Sequence, residues 1–156
     1  MTQAHFAIFD LNAPLERVRV PLDLCNLLIE RFLAEEKPSL YSKENTQFNI
    51  LRLEENDPTR AQVDEVFSEF EINAVRIHEF QPHHQATPHF DSAFNGYKTL
   101  IIRLDDNGKS RLKIEGELVP EHQGLGFRLP SGTLHEIING DHIRYSLTIW
   151  GKQKLG

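Results

Sequence analysis

The chain has 156 residues, 39% of them hydrophobic and 26% charged, with 23 acidic against 17 basic residues and a net charge of −6. That length suits one domain, spanning 1–156, with one sizeable core. An acidic balance without any cluster of Lys or Arg argues against nucleic acid or an anionic membrane as the main partner, since both reward a basic patch.

A single cysteine, Cys25, forbids an intrachain disulfide. Its place in an apolar helical stretch reads as a buried, inert thiol in a reducing setting. The segment from Met1 to Phe9 lacks the basic and apolar regions of a signal peptide. No apolar run approaches the roughly 20 residues of a membrane span. A soluble, cytoplasmic protein is expected.

In chain order, apolar residues at 22, 25, 28, 29, 32 and 33 form a helical stripe, with Pro21 suited to its first turn and Pro38 ending it. The polar stretch 39–46 reads as a connection to a strand at 48–53. Asp57 and Pro58 open a second helix as N-cap and first helical residue, and Val63, Val66, Phe67 and Phe70 supply its stripe. From Ile72 onward the pattern turns to strands, at 74–80, 99–104, 111–115 and 143–150, which alternate or are rich in β-branched and aromatic residues. Asp106-Asn107-Gly108 and Pro130-Ser131-Gly132 mark turns. The expected class is mainly β, a sandwich or barrel with two N-terminal helices packed on one sheet.

Four histidines, His78, His83, His84 and His89, crowd the approach to Asp91, and His135 follows a Pro-x-Gly turn. In an extended chain residues i and i+2 face the same way, so His89 and Asp91 present an imidazole and a carboxylate to one point. A distant His completes two nitrogens and one carboxylate, which leave three positions open on an octahedral Fe(II). Zinc with a bound water uses the same ligand types. On the last strand Arg144, Ser146, Thr148 and Trp150 alternate with Tyr145, Leu147 and Ile149. If the apolar set faces a packed layer, Arg144 and Ser146 point together into a barrel mouth, where a charged fork and a hydroxyl make a carboxylate receptor. A buried Arg needs an anion, and a bound dicarboxylate would supply it.

The order His89-x-Asp91, then His135, then Arg144-x-Ser146 resembles the iron(II)- and 2-oxoglutarate-dependent oxygenases of the double-stranded β-helix, a jelly-roll or cupin-like barrel. The resemblance covers about 72–151, taken as the barrel core. It implies that His89, Asp91 and His135 bind Fe(II), that Arg144 and Ser146 hold the far carboxylate of 2-oxoglutarate, and that O2 is the oxidant. Lys98 is the nearest match to a basic residue near the other end of the co-substrate, with Arg103 further along. His135-x3-Asn139 followed by Arg144 is similar to the aspartyl/asparaginyl hydroxylase-like branch. The Arg-x-His pair of that branch is replaced by Lys98-Thr99-Leu100, and Phe80 stands near the place of a Tyr carried by prolyl-hydroxylase-like relatives.

The implied reaction hydroxylates a C–H bond of a small amino acid or of a peptide or protein side chain, with decarboxylation of 2-oxoglutarate to succinate and CO2. His78, Phe80, His84 and Trp150 are candidate substrate contacts, and the stretches 80–88 and 92–97, with the region between the two helices, candidate substrate loops. Gly124-x5-Pro130-x-Gly132-x2-His135-x3-Asn139 also fits the second cupin motif. A cupin-type metalloprotein that does not use 2-oxoglutarate is therefore an alternative, as is a non-catalytic small-molecule-binding barrel. The cupin reading gives Arg144 and Ser146 no role.

Overall fold

The computed structural model describes residues 15–91, 98–106, 108 and 110–155; the expected loop 92–97 and Asn107 lie outside them. The described chain runs β1 (Glu16–Arg19), α1 (Leu22–Leu33), β2 (Ser39–Lys43), β3 (Thr46–Arg52), α2 (Pro58–Val66), β4 (Phe70–Phe80), β5 (Ala86–His89) and β6 (Lys98–Arg103). It continues through β7 (Arg111–Ile114), β8 (Glu117–Leu118), β9 (Leu125–Pro130), β10 (His135–Ile138) and β11 (Arg144–Gln153). These strands make two antiparallel sheets facing each other as a jelly roll. The larger has the order β1-β9-β6-β11-β4-β3-β2 and the smaller β5-β10-β7-β8.

Strand β11 sits at the centre of the larger sheet, between β4 and β6, and its alternation divides two cores. Leu147 and Ile149 join the cluster that includes Cys25, Leu28, Phe32 and Val63 of the helices. On the other face Ser146 and Thr148 turn toward the smaller sheet, where Phe80, Ile101, Leu112, Phe127 and Ile137 form the second cluster. Full burial of a side chain such as Leu28 stabilises the fold by about 1.5–3 kcal/mol.

Helix α1 buries Leu24, Cys25, Leu28 and Phe32, with Asp23 in its first turn and Arg31 in its last, each on the favourable end of the helix dipole. Its inward face is rotated from the expected stripe, since Leu22 and Leu33 are exposed. Burial pushes the Cys25 thiol up to about 11, so the group is protonated and unreactive at neutral pH. Asp57 caps α2 by accepting the Thr59 N–H at 2.9 Å, and Arg31 ties the helices together through Asp57 at 3.0 Å. No helix among the described residues is long and apolar enough to cross a membrane.

Two elements differ from expectation. The polar stretch 39–46 is a hairpin, in which the exposed β2 pairs with β3 around Glu44 at φ 56°. Its inter-strand pairing comes from the backbone, so a solvated strand leaves no apolar alternation to read. Helix α2 ends at Val66, with Phe67 as its C-cap, and Phe70 opens β4. The apolar spacing at 63, 66, 67 and 70 spans a helix and the strand after it because Val63, Phe67 and Phe70 all pack in one cluster.

Gly126 on β9 lies between Val18 and Ile102 of the neighbouring strands. A Cβ there would meet Ile102 Cγ1 at 2.5 Å and the Ile101 carbonyl oxygen at 2.6 Å. Gly126→Ala is therefore expected to destabilise the protein by about 1–3 kcal/mol. Denaturant unfolding measures this, and an unchanged midpoint would contradict the close approach of β6 and β9.

Candidate active site

The smaller sheet builds the centre. His89 ends β5, His135 begins β10, and the two are directly opposite in the antiparallel register. Their rings therefore lie 4.2 Å apart between centroids. Each Nδ1 faces a backbone carbonyl, that of Thr87 at 2.7 Å for His89 and that of Thr133 at 3.0 Å for His135. A proton on Nδ1 leaves each Nε2 lone pair free, the tautomer that a ligating histidine needs. Asp91, two residues past His89, places Oδ1 3.7 Å from His89 Nε2 and Oδ2 3.4 Å from His135 Nε2. One donor atom from each residue lies within 4.8 Å of the others.

The larger sheet steadies the carboxylate, as Thr99 of β6 donates its hydroxyl to Asp91 Oδ2 at 2.9 Å. Burial pushes the Asp91 pKa up, but His135, Thr99 and His89 together outweigh it and hold the group down at about 2. Burial and then the neighbouring His135 pull His89 below its ordinary value. A neutral imidazole beside an ionised carboxylate is the form that binds a divalent metal. Three donors from one side leave the opposite side of an ion open, which fits Fe(II) and also a catalytic zinc.

The three residues line a cavity of about 620 Å³ between the sheets. His78, Phe80 and Trp150 line it as well. His84 does not; its Nδ1 turns back to accept the Gln81 N–H at 3.1 Å. Lys98 lies at the start of β6, half-buried between Pro130 and Gly151, outside the cavity wall. Asn139, just after β10, is buried, and its amide donates to the carbonyls of Gln81 and His142, binding the β10–β11 turn to the end of β4.

Arg144 and Ser146 share one strand face, with Arg144 Nε donating to Ser146 Oγ at 3.0 Å. Neither lines the cavity. Arg144 is fully buried, and the chain itself supplies its anion: Glu121 accepts from Nη1 at 2.9 Å and from Nη2 at 2.6 Å. Arg103 holds the same carboxylate at 3.1 Å and Asp105 at 3.1 Å. Burial alone would raise the Glu121 pKa, but Arg144 and then Arg103 hold it below the ordinary carboxylate value.

Sequence reasoning missed Glu121 and Arg76. Arg76 was legible in principle, since it precedes His78 and Phe80 by steps of two on β4 and so shares their inward face. Glu121 carries no such signal, because it lies outside every strand and meets Arg144 only through the tertiary fold.

No protein-family model and no curated protein matches the chain. Solved structures do. A prolyl-4-hydroxylase from Pseudomonas putida superposes with a TM-score of 0.73 at 17% identity, covering 96% of this chain and 99% of that one. The epimerase SnoN from nogalamycin biosynthesis, a non-heme α-ketoglutarate-dependent enzyme, gives 0.71 at 11% identity over 96% and 81%. A viral collagen prolyl hydroxylase from Paramecium bursaria Chlorella virus 1, in complex with 2-oxoglutarate, gives 0.68 at 10% identity over 92% and 98%. The chain shares its fold with these three proteins over 92–96% of its length.

Proposed function

We propose that this protein is an Fe(II)- and 2-oxoglutarate-dependent dioxygenase that hydroxylates a C–H bond of a small molecule or a peptide side chain. One observation carries the reading: His89, Asp91 and His135 converge on one point at the wall of a cavity, in the fold of non-heme oxygenases. Bound Fe(II), with 2-oxoglutarate and O2, would supply the oxidising chemistry. The chain's own part is to hold three ligands, leave the remaining positions open and shelter the site between the sheets. A single domain in a cytoplasmic setting suits its one buried cysteine.

For the co-substrate we propose Arg144 with Ser146 as the grip on the distal carboxylate. Glu121 occupies that fork, so 2-oxoglutarate has to exchange with it, leaving Glu121 on Arg103. Lys98, outside the cavity wall, would act only at long range. The occupied fork is also the observation that favours a second reading, a cupin-type metalloenzyme that does not use 2-oxoglutarate.

Anaerobic addition of Fe(II) and 2-oxoglutarate is expected to produce the weak visible band of the ferrous chelate, and His135→Ala to abolish it. Metal binding with no band and no 2-oxoglutarate affinity would favour the second reading. Glu121→Gln is expected to cost about 3–5 kcal/mol of stability by leaving buried guanidinium charge uncompensated. Saturating 2-oxoglutarate should then raise the Tm of this variant more than that of the parent. An equal or smaller rise removes Arg144 from co-substrate binding.

A further inference from the structure

The cavity has a cation of its own that the co-substrate reading does not use. Arg76 of β4 lines it, with its guanidinium carbon 4.9 Å from the Trp150 ring centroid. Its Nε is buried and finds no hydrogen-bond acceptor, and the carboxylate that acts on it, Asp91, does so through space and without a hydrogen bond to Nε. Two residues along the same face, His78 is buried, lines the cavity, and leaves Nε2 with no partner. Burial first and Arg76 next push the His78 pKa down to about 3, so the imidazole is neutral; with the Thr148 hydroxyl donating to Nδ1 at 3.4 Å, Nε2 carries the proton. A buried polar nitrogen without a partner is costly to leave, and two of them facing one cavity mark a place for a ligand.

Position separates this pair from the co-substrate grip. Thr99, which holds Asp91, is paired with Trp150 on β11. Arg76 is paired with Thr148, one step of the alternation away, and stacks on Trp150. Arg144 lies four residues further, about 13 Å along the strand. Phe48, Phe80 and Trp150 supply apolar surface around Arg76 and His78.

Building on the oxygenase reading, we propose that Arg76 and His78 form a carboxylate subsite for the primary substrate. The substrate is then a small carboxylic acid with an apolar body, of which a free apolar amino acid is the simplest example. Its carboxylate is anchored beside the metal ligands while a neighbouring C–H bond is presented to them.

The test uses the Co(II)-loaded protein saturated with 2-oxoglutarate under argon, titrated with each protein amino acid and with its carboxamide, and read from the cobalt d–d spectrum. At least one apolar amino acid should perturb the band, and its amide should bind about tenfold more weakly or worse, as expected for a lost charged contact. Arg76→Gln should erase that preference and leave 2-oxoglutarate affinity unchanged, while Arg76→Lys recovers part of it; circular dichroism checks that both variants fold. Equal binding of acid and amide, no response to any amino acid, or a loss of 2-oxoglutarate binding in Arg76→Gln each overturns the proposal. If the parent fails to bind 2-oxoglutarate, the oxygenase reading falls instead, and the acids are then titrated onto the cobalt protein alone.

Discussion

The register of β11 between β4 and β6 is the constraint on which the other features depend. Its side chains alternate with period two, so a slip of one residue would carry Leu147 and Ile149 into the cavity and Arg144 into the helix-side core. Both outcomes cost several kilocalories, one by exposing apolar surface and the other by burying an unpaired charge. With that register set, Trp150 stands opposite Thr99, Thr148 opposite Arg76, and Arg144 opposite Phe80. Thr99, which holds Asp91, and both cationic groups are then spaced along the larger sheet, while His89 and His135 face them from the smaller one.

The smaller sheet contributes a different kind of order. Pairing His135 directly with His89 brings two imidazoles within 4.2 Å, an arrangement that disfavours charge on His89 and leaves two nitrogen lone pairs side by side. Backbone carbonyls at 87 and 133 select the tautomer, and Thr99 reaches across from the other sheet to hold the carboxylate. Ligand geometry thus comes from sheet pairing and sheet packing together, on rigid strands at two of the three positions.

Arg103, Glu121, Arg144 and Asp105 form a charge-balanced cluster at the opposite end of β11. Such clusters add little net stability over apolar packing, yet removing one member is costly because the remainder stays buried. Glu121 also accepts the Leu112 N–H at 3.2 Å, which ties the cluster to the smaller sheet. The same carboxylate therefore joins the two layers and occupies a guanidinium fork suited to a dicarboxylate. The cavity's unpaired donors, on Arg76 and His78, lie elsewhere.

Local periodicity made much of this molecule legible. The alternation at 143–150 separates Arg144, Ser146, Thr148 and Trp150 from Leu147 and Ile149 without any structure, because a strand's side chains have only two directions. The His89-x-Asp91 spacing likewise puts two ligand types on one side of an extended segment. What alternation cannot express is the partner. The exposed β2 hairpin pairs through backbone groups that every residue carries, and α1 turns Leu22 and Leu33 outward because the sheet's shape decides which apolar residues fit against it. That Glu121 fills the fork of Arg144, and that Arg76 Nε is left without an acceptor among the described residues, depends on side chains distant in sequence meeting across packed layers. On the strands the sequence by itself determined which groups face inward; only the tertiary structure decided the inward face of α1 and which groups are already paired, since both are set by distance in space and not by spacing along the chain.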